Sequence, residues 1–434
     1  MTTLWILIML CCLYLFLRQQ YLLSPTAIFY LYYAFVYPIP YLVTYHFQMP
    51  SVFYNSPRDI LPDKVFFAFL QVCLGLASFS VGRYLIPTIR PHWLDVTLIK
   101  SRFVSLTIIS LCMALVGSIW VIHELGGMSA VVDNSAAIRS AGLRGLGAGI
   151  YAITNLLPTV AQFWLIYAFR TKSRYLGMIL LLCVLCSALG GVFGFRGNIF
   201  VLLIQVACIY YLMSGKAYKA RMAILILSSG ILLSVLGVIR IVTSGQGGRE
   251  AQVLMQGNSD DMMYIISDTS LTRHRGVEML VIMNDYMKHV SYHYFTGNIS
   301  ETARVIIPSF ILSKDIAVSE KIATAVYSGY LMNAGVALNV YGGVAYTILS
   351  ECYWNMGLTG IVLVCVLTGY TLRVVEFRRS SAYISILHII IFKAFASSIA
   401  QFLEAPQLGT NTLVINLFLN IGILVFLSTP IQIS

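Results

Sequence analysis

Charged residues are scarce in this chain. Only 10% of its 434 residues are Asp, Glu, Lys or Arg, whereas a soluble protein carries about 25%. Hydrophobic residues make up 59% of the chain, so the composition predicts a polytopic membrane protein and excludes an ordinary soluble enzyme. The net charge is +11, but no long basic run occurs, which argues against nucleic acid as a partner.

Motifs for nucleotide, metal and disulfide chemistry are also missing. The sequence contains no phosphate-binding P-loop, no GxSxG, no HExxH and no DxD pair, so we expect no metal and no cofactor. Of the nine cysteines, only Cys352 lies in a predicted external connection, which excludes a disulfide framework. Cys183 and Cys186 form a CxxC inside an apolar run, where packing is the favoured interpretation.

Apolar runs of about 20 residues predict the membrane spans and an all-α fold. Eleven such runs occur, at residues 4–17, 25–45, 64–80, 103–123, 147–169, 175–189, 199–213, 222–242, 356–372, 382–401 and 412–427. The first run lacks the features of a signal peptide and is interpreted as a span. A weaker candidate at residues 330–350 is rich in glycine, asparagine and tyrosine, which indicates a re-entrant or interfacial segment.

The orientation follows from lysine and arginine in the short connections. Five positive clusters fall on the same side of the eleven spans, at residues 18, 83–102, 170–174, 216–221 and 373–379. The positive-inside rule places that side in the cytoplasm, with the amino terminus outside and the carboxy terminus in the cytoplasm. The chain is otherwise one transmembrane domain, residues 1–434.

A large external loop, residues 243–355, separates the eighth and ninth predicted spans. Loops of this length are usually functional. Within it, residues 276–289 carry a helical stripe of methionine and leucine. The stripe predicts an amphipathic helix that lies on the membrane or caps a cavity.

Arg196 occupies a glycine-rich turn, residues 190–199, between the sixth and seventh predicted spans. A guanidinium offers bidentate donors and stays charged, which suits the phosphate of a lipid headgroup. The alternative is a packing hairpin of small residues whose arginine extends to the membrane interface.

Other arginines are predicted on the external side, against the usual bias. Several of them converging on one cavity would balance the charge of a pyrophosphate without a metal. The alternative for each is contact with solvent or lipid phosphate. The candidate pyrophosphate-binding residues are Arg196, Arg240, Arg139, Arg144, Arg275 and Arg304.

The candidate catalytic residues are one carboxylate and two histidines in the external loop. Glu351 precedes the ninth span, where a carboxylate is costly unless it is paired or used. It is therefore either an acid–base group or the partner of an arginine. His289 and His293 can exchange a proton near neutral pH, although a surface position is the alternative. Lys393, inside the tenth span, is predicted to extend to the interface or to line the cavity.

Several short motifs resemble the O-antigen polymerase (Wzy) family. In chain order they are Gly126-Gly127 with Arg139, Gly194-Phe195-Arg196-Gly197-Asn198, Arg304-Val305-Ile306-Ile307-Pro308-Ser309 and Glu351-x-Tyr353-x-Asn355-x-Gly357-x-x-Gly360. Met356 stands where the family often has phenylalanine.

The resemblance implies a GT-C-like, metal-independent glycosyltransferase of the bacterial inner membrane, with its active face towards the periplasm. Such an enzyme transfers the growing glycan from undecaprenyl pyrophosphate to the non-reducing end of a new lipid-linked repeat unit. Its expected partners are undecaprenyl-pyrophosphate-linked oligosaccharides, membrane lipids and a chain-length co-polymerase (Wzz). Two alternatives stay open: an O-antigen ligase with a lipid A-core acceptor, and a lipid-linked oligosaccharide flippase.

Overall fold

The computed structural model describes residues 1–47, 60–87, 96–124, 152–192, 196–214, 276–306, 347–377 and 385–428. These residues are almost entirely helical and contain no strand apart from one isolated bridge between Leu98 and Ser428. The predicted all-α class is therefore confirmed for this part of the chain. Its α-helices are α1 (Thr2–Arg18), α2 (Pro25–Val36), α3 (Pro38–Phe47), α4 (Pro62–Ser80), α5 (Lys100–Glu124), α6 (Leu157–Arg170), α7 (Leu176–Val192), α8 (Arg196–Ser214), α9 (Gly276–Tyr286), α10 (Thr296–Ile306), α11 (Ile348–Glu376), α12 (Ile386–Glu404) and α13 (Pro406–Leu427).

Six helical segments of the described residues are long and apolar enough to cross a membrane. They are Pro25–His46, Pro62–Leu85, Lys100–Trp120, Ile348–Glu376, Ile386–Glu404 and Gly409–Leu427. Three shorter apolar helices, within α1, α7 and α8, accompany them. The chain is thus a membrane-embedded helical protein, while the count of eleven spans stays a prediction. The predicted span at residues 222–242 lies outside the described residues.

The chain divides into two compact units. The first unit consists of Met1–Arg90, Ala223–Phe377 and Ser398–Ile415, and the second of Pro91–Met222, Arg378–Ser397 and Asn416–Ser434. Helices α12 and α13 contribute residues to both units.

In the first unit, α4 and α11 pack closely because glycines face the neighbouring backbone. A Cβ atom on Gly82 would lie 2.0 Å from the carbonyl oxygen of Val366, and one on Gly369 would lie 2.2 Å from that of Phe79. Small residues of this kind allow helices in membranes to approach each other. The ring of Phe79 stacks on Phe29 of α2, with 3.6 Å between the ring centroids, so α2 joins the same core.

A mostly buried ion pair connects the ends of three elements of the first unit. Arg83 lies in a π-helical turn, Val81–Leu85, that continues α4, and its guanidinium is 2.5 Å from the carboxylate of Glu376 at the end of α11. The same carboxylate accepts the main-chain N–H of Thr26, in the first turn of α2, at 2.6 Å. Negative charge at a helix N-terminus is stabilising, so Glu376 ties all three elements together.

Helix α9 covers most of the stretch at residues 276–289, which was predicted to lie on the membrane or to cap a cavity, and it is more buried than a helix on the membrane surface would be. Every residue from Gly276 to Met283 is buried, including Glu278. The helix packs against α3, α4 and α11 inside the first unit. Its methionine and leucine stripe therefore belongs to a protein core, because neighbouring helices cover the other face as well.

Polar contacts fix α9 on α4. The side-chain amides of Gln71 and Asn284 exchange two hydrogen bonds, of 2.9 and 3.0 Å. Lys64 lies 2.5 Å from Asp285, and Lys288 lies 2.9 Å from the same carboxylate. Burial opposes the ionisation of Asp285, but the hydrogen bonds from both lysines outweigh it and lower its pKa.

Candidate functional site

Glu351 lies in the first turn of α11, which begins at Ile348 rather than near residue 356 as predicted. The helix is interrupted at Met356 and Gly357, and Gly357 has φ of 62°, a left-handed conformation that glycine adopts without strain. The predicted start of the ninth span therefore coincides with a break inside a longer helix. Of the predicted re-entrant segment, residues 347–350 are described, and they form the N-cap and first turn of α11.

The Glu351 carboxyl group is held on one side and free on the other. The side chain is 3% exposed, and its Oε1 accepts a hydrogen bond from Nδ2 of Asn298 in α10. The main-chain N–H of Gln407, in the first turn of α13, faces the same carboxyl group. Oε2 is buried and has no hydrogen-bond partner in the part of the chain that the structure describes. Such an orphan oxygen requires an explanation, and a bound ligand is one.

A network of amide side chains surrounds this carboxyl group. Nδ2 of Asn298 also donates to Oε1 of Gln407 at 2.9 Å. Nδ2 of Asn355 donates to the main-chain oxygen of Glu351 at 3.0 Å and to Oδ1 of Asn298 at 3.4 Å. Nε2 of Gln407 donates to Oδ1 of Asn411 at 3.1 Å. All these amides are buried, so their mutual hydrogen bonds replace those with water.

An open cleft of about 430 Å³ adjoins the carboxyl group. Its lining is mainly apolar and includes Phe295 and Phe402, with Glu351, Asn298 and Gln407 among its polar members. Apolar walls with a few convergent polar groups are typical of small-molecule ligand sites. Glu351 therefore lies at the wall of a cleft that is large enough for a small molecule.

The segment before α10 is fastened to Asn355 of α11. The main-chain oxygen of Asn355 accepts the N–H of Tyr294 at 3.0 Å, and the Oδ1 of Asn355 accepts the N–H of Phe295 at 2.7 Å. Tyr294 and Phe295 both have positive φ, 51° and 58°, which is uncommon outside glycine. The ring of His293 stacks on Trp354, with centroids 3.9 Å apart.

The two predicted catalytic histidines do not line the cleft. His293 contacts Trp354, next to the amide network, and burial lowers its pKa. His289 follows α9 and is exposed. The structure therefore brings His293 against Trp354, in the same stretch of α11 as Glu351.

The predicted pyrophosphate-binding arginines are described only in part. Arg196 begins α8 and Arg304 lies in the last turn of α10, but the positions of their side chains are outside the description. Arg139, Arg144, Arg240 and Arg275 fall outside the described residues. Their convergence on one site stays a prediction.

The residues of the motif from Glu351 to Gly360 build the site together. Asn355 fastens the segment before α10, and Gly357 forms the helix break, where a Cβ atom would lie 2.9 Å from the hydroxyl of Tyr292. A Cβ atom on Gly360 would lie 2.3 Å from the main-chain oxygen of Cys352. The two glycines therefore permit the break and the close packing beside it.

Sequence reasoning missed Asn298 and Gln407, the side chains that surround Glu351 from other helices. Neither belongs to the motifs described above. Gln407 follows Pro406 at the start of α13, and proline at this position is a helix-start signal. That signal indicates where the helix begins, but not what its amide contacts.

Lys393 was predicted to extend to the interface or to line the cavity, and its full burial in the second unit excludes the first of these positions. Its Nζ donates to Oε1 of Gln162 at 2.5 Å, and Nε2 of Gln162 donates to Oε1 of Gln205 at 2.9 Å. Nε2 of Gln205 then donates to Oγ of Ser397 at 3.0 Å. Lys393 is thus the first donor of a buried polar chain that joins α6, α8 and α12.

Comparison with known proteins adds no family to these observations. No family model, curated protein or solved structure matches the chain.

Proposed function

We propose that this chain is a membrane-embedded glycosyltransferase that polymerises lipid-linked oligosaccharide repeat units, as an O-antigen polymerase does. One observation carries the proposal: Glu351 is buried and lines a cleft, with one carboxyl oxygen held by Asn298 and the other without a partner among the described residues. Buried ionisable groups inside membrane proteins are expensive and commonly functional. The motif that resembles the polymerase family supplies this carboxylate and the glycines around it.

In this proposal Glu351 acts as the general base for the acceptor sugar. Oε1 accepts a hydrogen bond from Asn298, so Oε2 is the oxygen that receives a proton from the attacking hydroxyl. The acceptor oxygen bonds to the anomeric carbon of the donor glycan, and the bond from that carbon to pyrophosphate breaks. The pyrophosphate leaves with the electron pair.

The charge of the leaving pyrophosphate is assigned to arginines instead of a metal. Arg196 supports this assignment because it begins α8. The first main-chain N–H groups of a helix and the positive end of its dipole favour anions. The proposal includes the orientation predicted by the positive-inside rule, with the reaction on the periplasmic face of the bacterial inner membrane.

Gel electrophoresis of lipopolysaccharide from a deletion strain tests the proposal. Loss of a polymerase leaves core plus a single repeat unit, whereas loss of a ligase leaves bare core and accumulated lipid-linked polymer. The strain is then complemented with variants. Arg196→Ala should restore only single repeats at a normal protein level, and Arg196→Lys should rescue poorly because lysine lacks the bidentate fork.

Arg174→Ala is the matched control, because Arg174 is exposed and bonds to the hydroxyl of Tyr175. It should restore the full ladder. A full ladder from Arg196→Ala as well would remove Arg196 from the proposed machinery.

A second candidate function, transport of lipid-linked oligosaccharides, is favoured by the buried position of Lys393. Charged groups in the middle of a membrane helix often line a transport pathway. The same deletion strain separates this candidate from the first one. Loss of a flippase leaves bare core and accumulates single lipid-linked repeat units, with no lipid-linked polymer.

A further inference from the structure

Asn298 contacts the Glu351 carboxyl group from a different helix, and its amide has no freedom to turn. It lies in the first turn of α10 and is 9% exposed. One hydrogen of Nδ2 goes to Oε1 of Glu351 and the other to Oε1 of Gln407. Two acceptors on α11 and α13 therefore use both hydrogens of this amide.

The flipped orientation of Asn298 would place oxygen against oxygen. Oδ1 would then face Oε1 of Glu351 and Oε1 of Gln407, and the amide nitrogen would face the Nδ2 donor of Asn355. Gln407 is fixed in the same way, because its Nε2 donates to Asn411 and to the main-chain oxygen of Asn298. The hydrogen-bond network thus specifies which end of each amide points to the carboxyl group.

We propose that Asn298 is the positioning residue of this site: it holds Oε1 of Glu351, and Oε2 keeps no hydrogen-bond partner among the described residues. The role of Asn298 in catalysis rests on the proposed function, in which Oε2 of Glu351 takes the proton of the acceptor hydroxyl. Asn298 acts through Glu351 and not on the sugar. A neutral donor of this kind stabilises the ionised carboxylate over the protonated acid.

Carbodiimide labelling of the purified full-length chain tests this role directly. Dicyclohexylcarbodiimide reacts with protonated carboxyl groups in apolar surroundings, and mass spectrometry measures the labelled fraction of Glu351 across a pH series. In Asn298→Leu, which keeps the shape and removes the donor, the half-labelling pH of Glu351 should rise. The expected rise is about one to two pH units, because this is the shift that the free energy of one hydrogen bond to a charged group produces.

Glu301 of α10 and Cys352 of α11 are the titratable groups that face Glu351 in the described residues, and neither changes in this variant. Asn298→Asp, which has the same size but places a second carboxylate there, should raise the half-labelling pH further. It also covers the case in which Asn298→Leu fails to fold. The matched control is Asn284→Leu, which breaks the amide pair with Gln71 away from the carboxyl group and should leave the half-labelling pH unchanged.

An unchanged half-labelling pH in the folded Asn298 variants would overturn the inference. A general destabilising effect would instead shift the Asn284 control as well, and that result would also overturn it. The turnover of lipid-linked repeat units separates the inference from the proposed function. A shifted pH with a lower kcat and a similar KM supports both, whereas a shifted pH with normal turnover supports the positioning of Glu351 and refutes its role as the base.

Discussion

Exchange of Glu351 for glutamine separates chemistry from structure at this site. The glutamine carbonyl can still accept the hydrogen bond from Asn298, and its amide nitrogen replaces Oε2, which has no partner among the described residues. No lysine or arginine is bonded to Glu351 in that part of the chain, so no cation is left uncompensated. We therefore expect the free energy of unfolding to change by less than about 1 kcal/mol.

Turnover should respond differently from stability. A positioned general base contributes about 10²-fold or more to the rate, which corresponds to about 2.7 kcal/mol of activation free energy. Purified variant protein would be supplied with undecaprenyl-pyrophosphate-linked repeat units, and the glycan products counted by length. Donor binding should be nearly unchanged, because the exchange removes a proton acceptor and keeps the size of the side chain.

Glu301→Gln is the control, since it makes the same chemical change in a carboxylate that accepts a hydrogen bond from Asn411. It should retain most of the turnover. An active but unstable Glu351→Gln would assign Glu351 to the fold, because a side chain that only holds its neighbours contributes to stability and not to turnover. The base would then be sought at His293 or His289. A variant that is both active and stable would refute the catalytic reasoning altogether.

Three further predictions concern the first unit. Glu376→Gln leaves the mostly buried Arg83 guanidinium without its anion. Thermal unfolding of the variant should show that the free energy of unfolding falls by about 3–5 kcal/mol. A variant as stable as the wild type would show that the ion pair contributes nothing. Gly369→Ala should lower the unfolding temperature because its Cβ would lie 2.2 Å from a carbonyl oxygen, whereas Gly422→Ala, with nothing within 4 Å, should not. Because the pKa of Asp285 is lowered in the folded protein, its ionised carboxylate stabilises the fold fully above a pH of about 4, and this contribution is lost as the pH falls further. In Asp285→Asn, the free energy of unfolding should depend less on acid pH, by under about 1 kcal/mol, because the Lys64–Asp285 pair is partly exposed. The same dependence of stability on pH in the variant and the wild type would contradict this prediction.

The sequence by itself determined the class of the molecule. Low charge and repeated apolar runs predicted a helical membrane protein, because only helices satisfy every backbone group within a lone apolar segment. Because charged residues are so scarce, Glu351 next to a predicted span could be identified from the sequence as a candidate catalytic residue. The glycines of its motif, Gly357 and Gly360, were visible too, although their roles in a helix break and a close contact were not.

Only the tertiary structure decided what surrounds that carboxylate. Asn298 is 53 residues from Glu351, and Gln407 is 109 residues from Asn298; hydropathy does not encode which distant amides meet. Burial of α9 and of Lys393 was equally invisible. The periodicity of one helix reports its own apolar face, whereas burial of its polar face depends on neighbouring helices that supply hydrogen-bond partners.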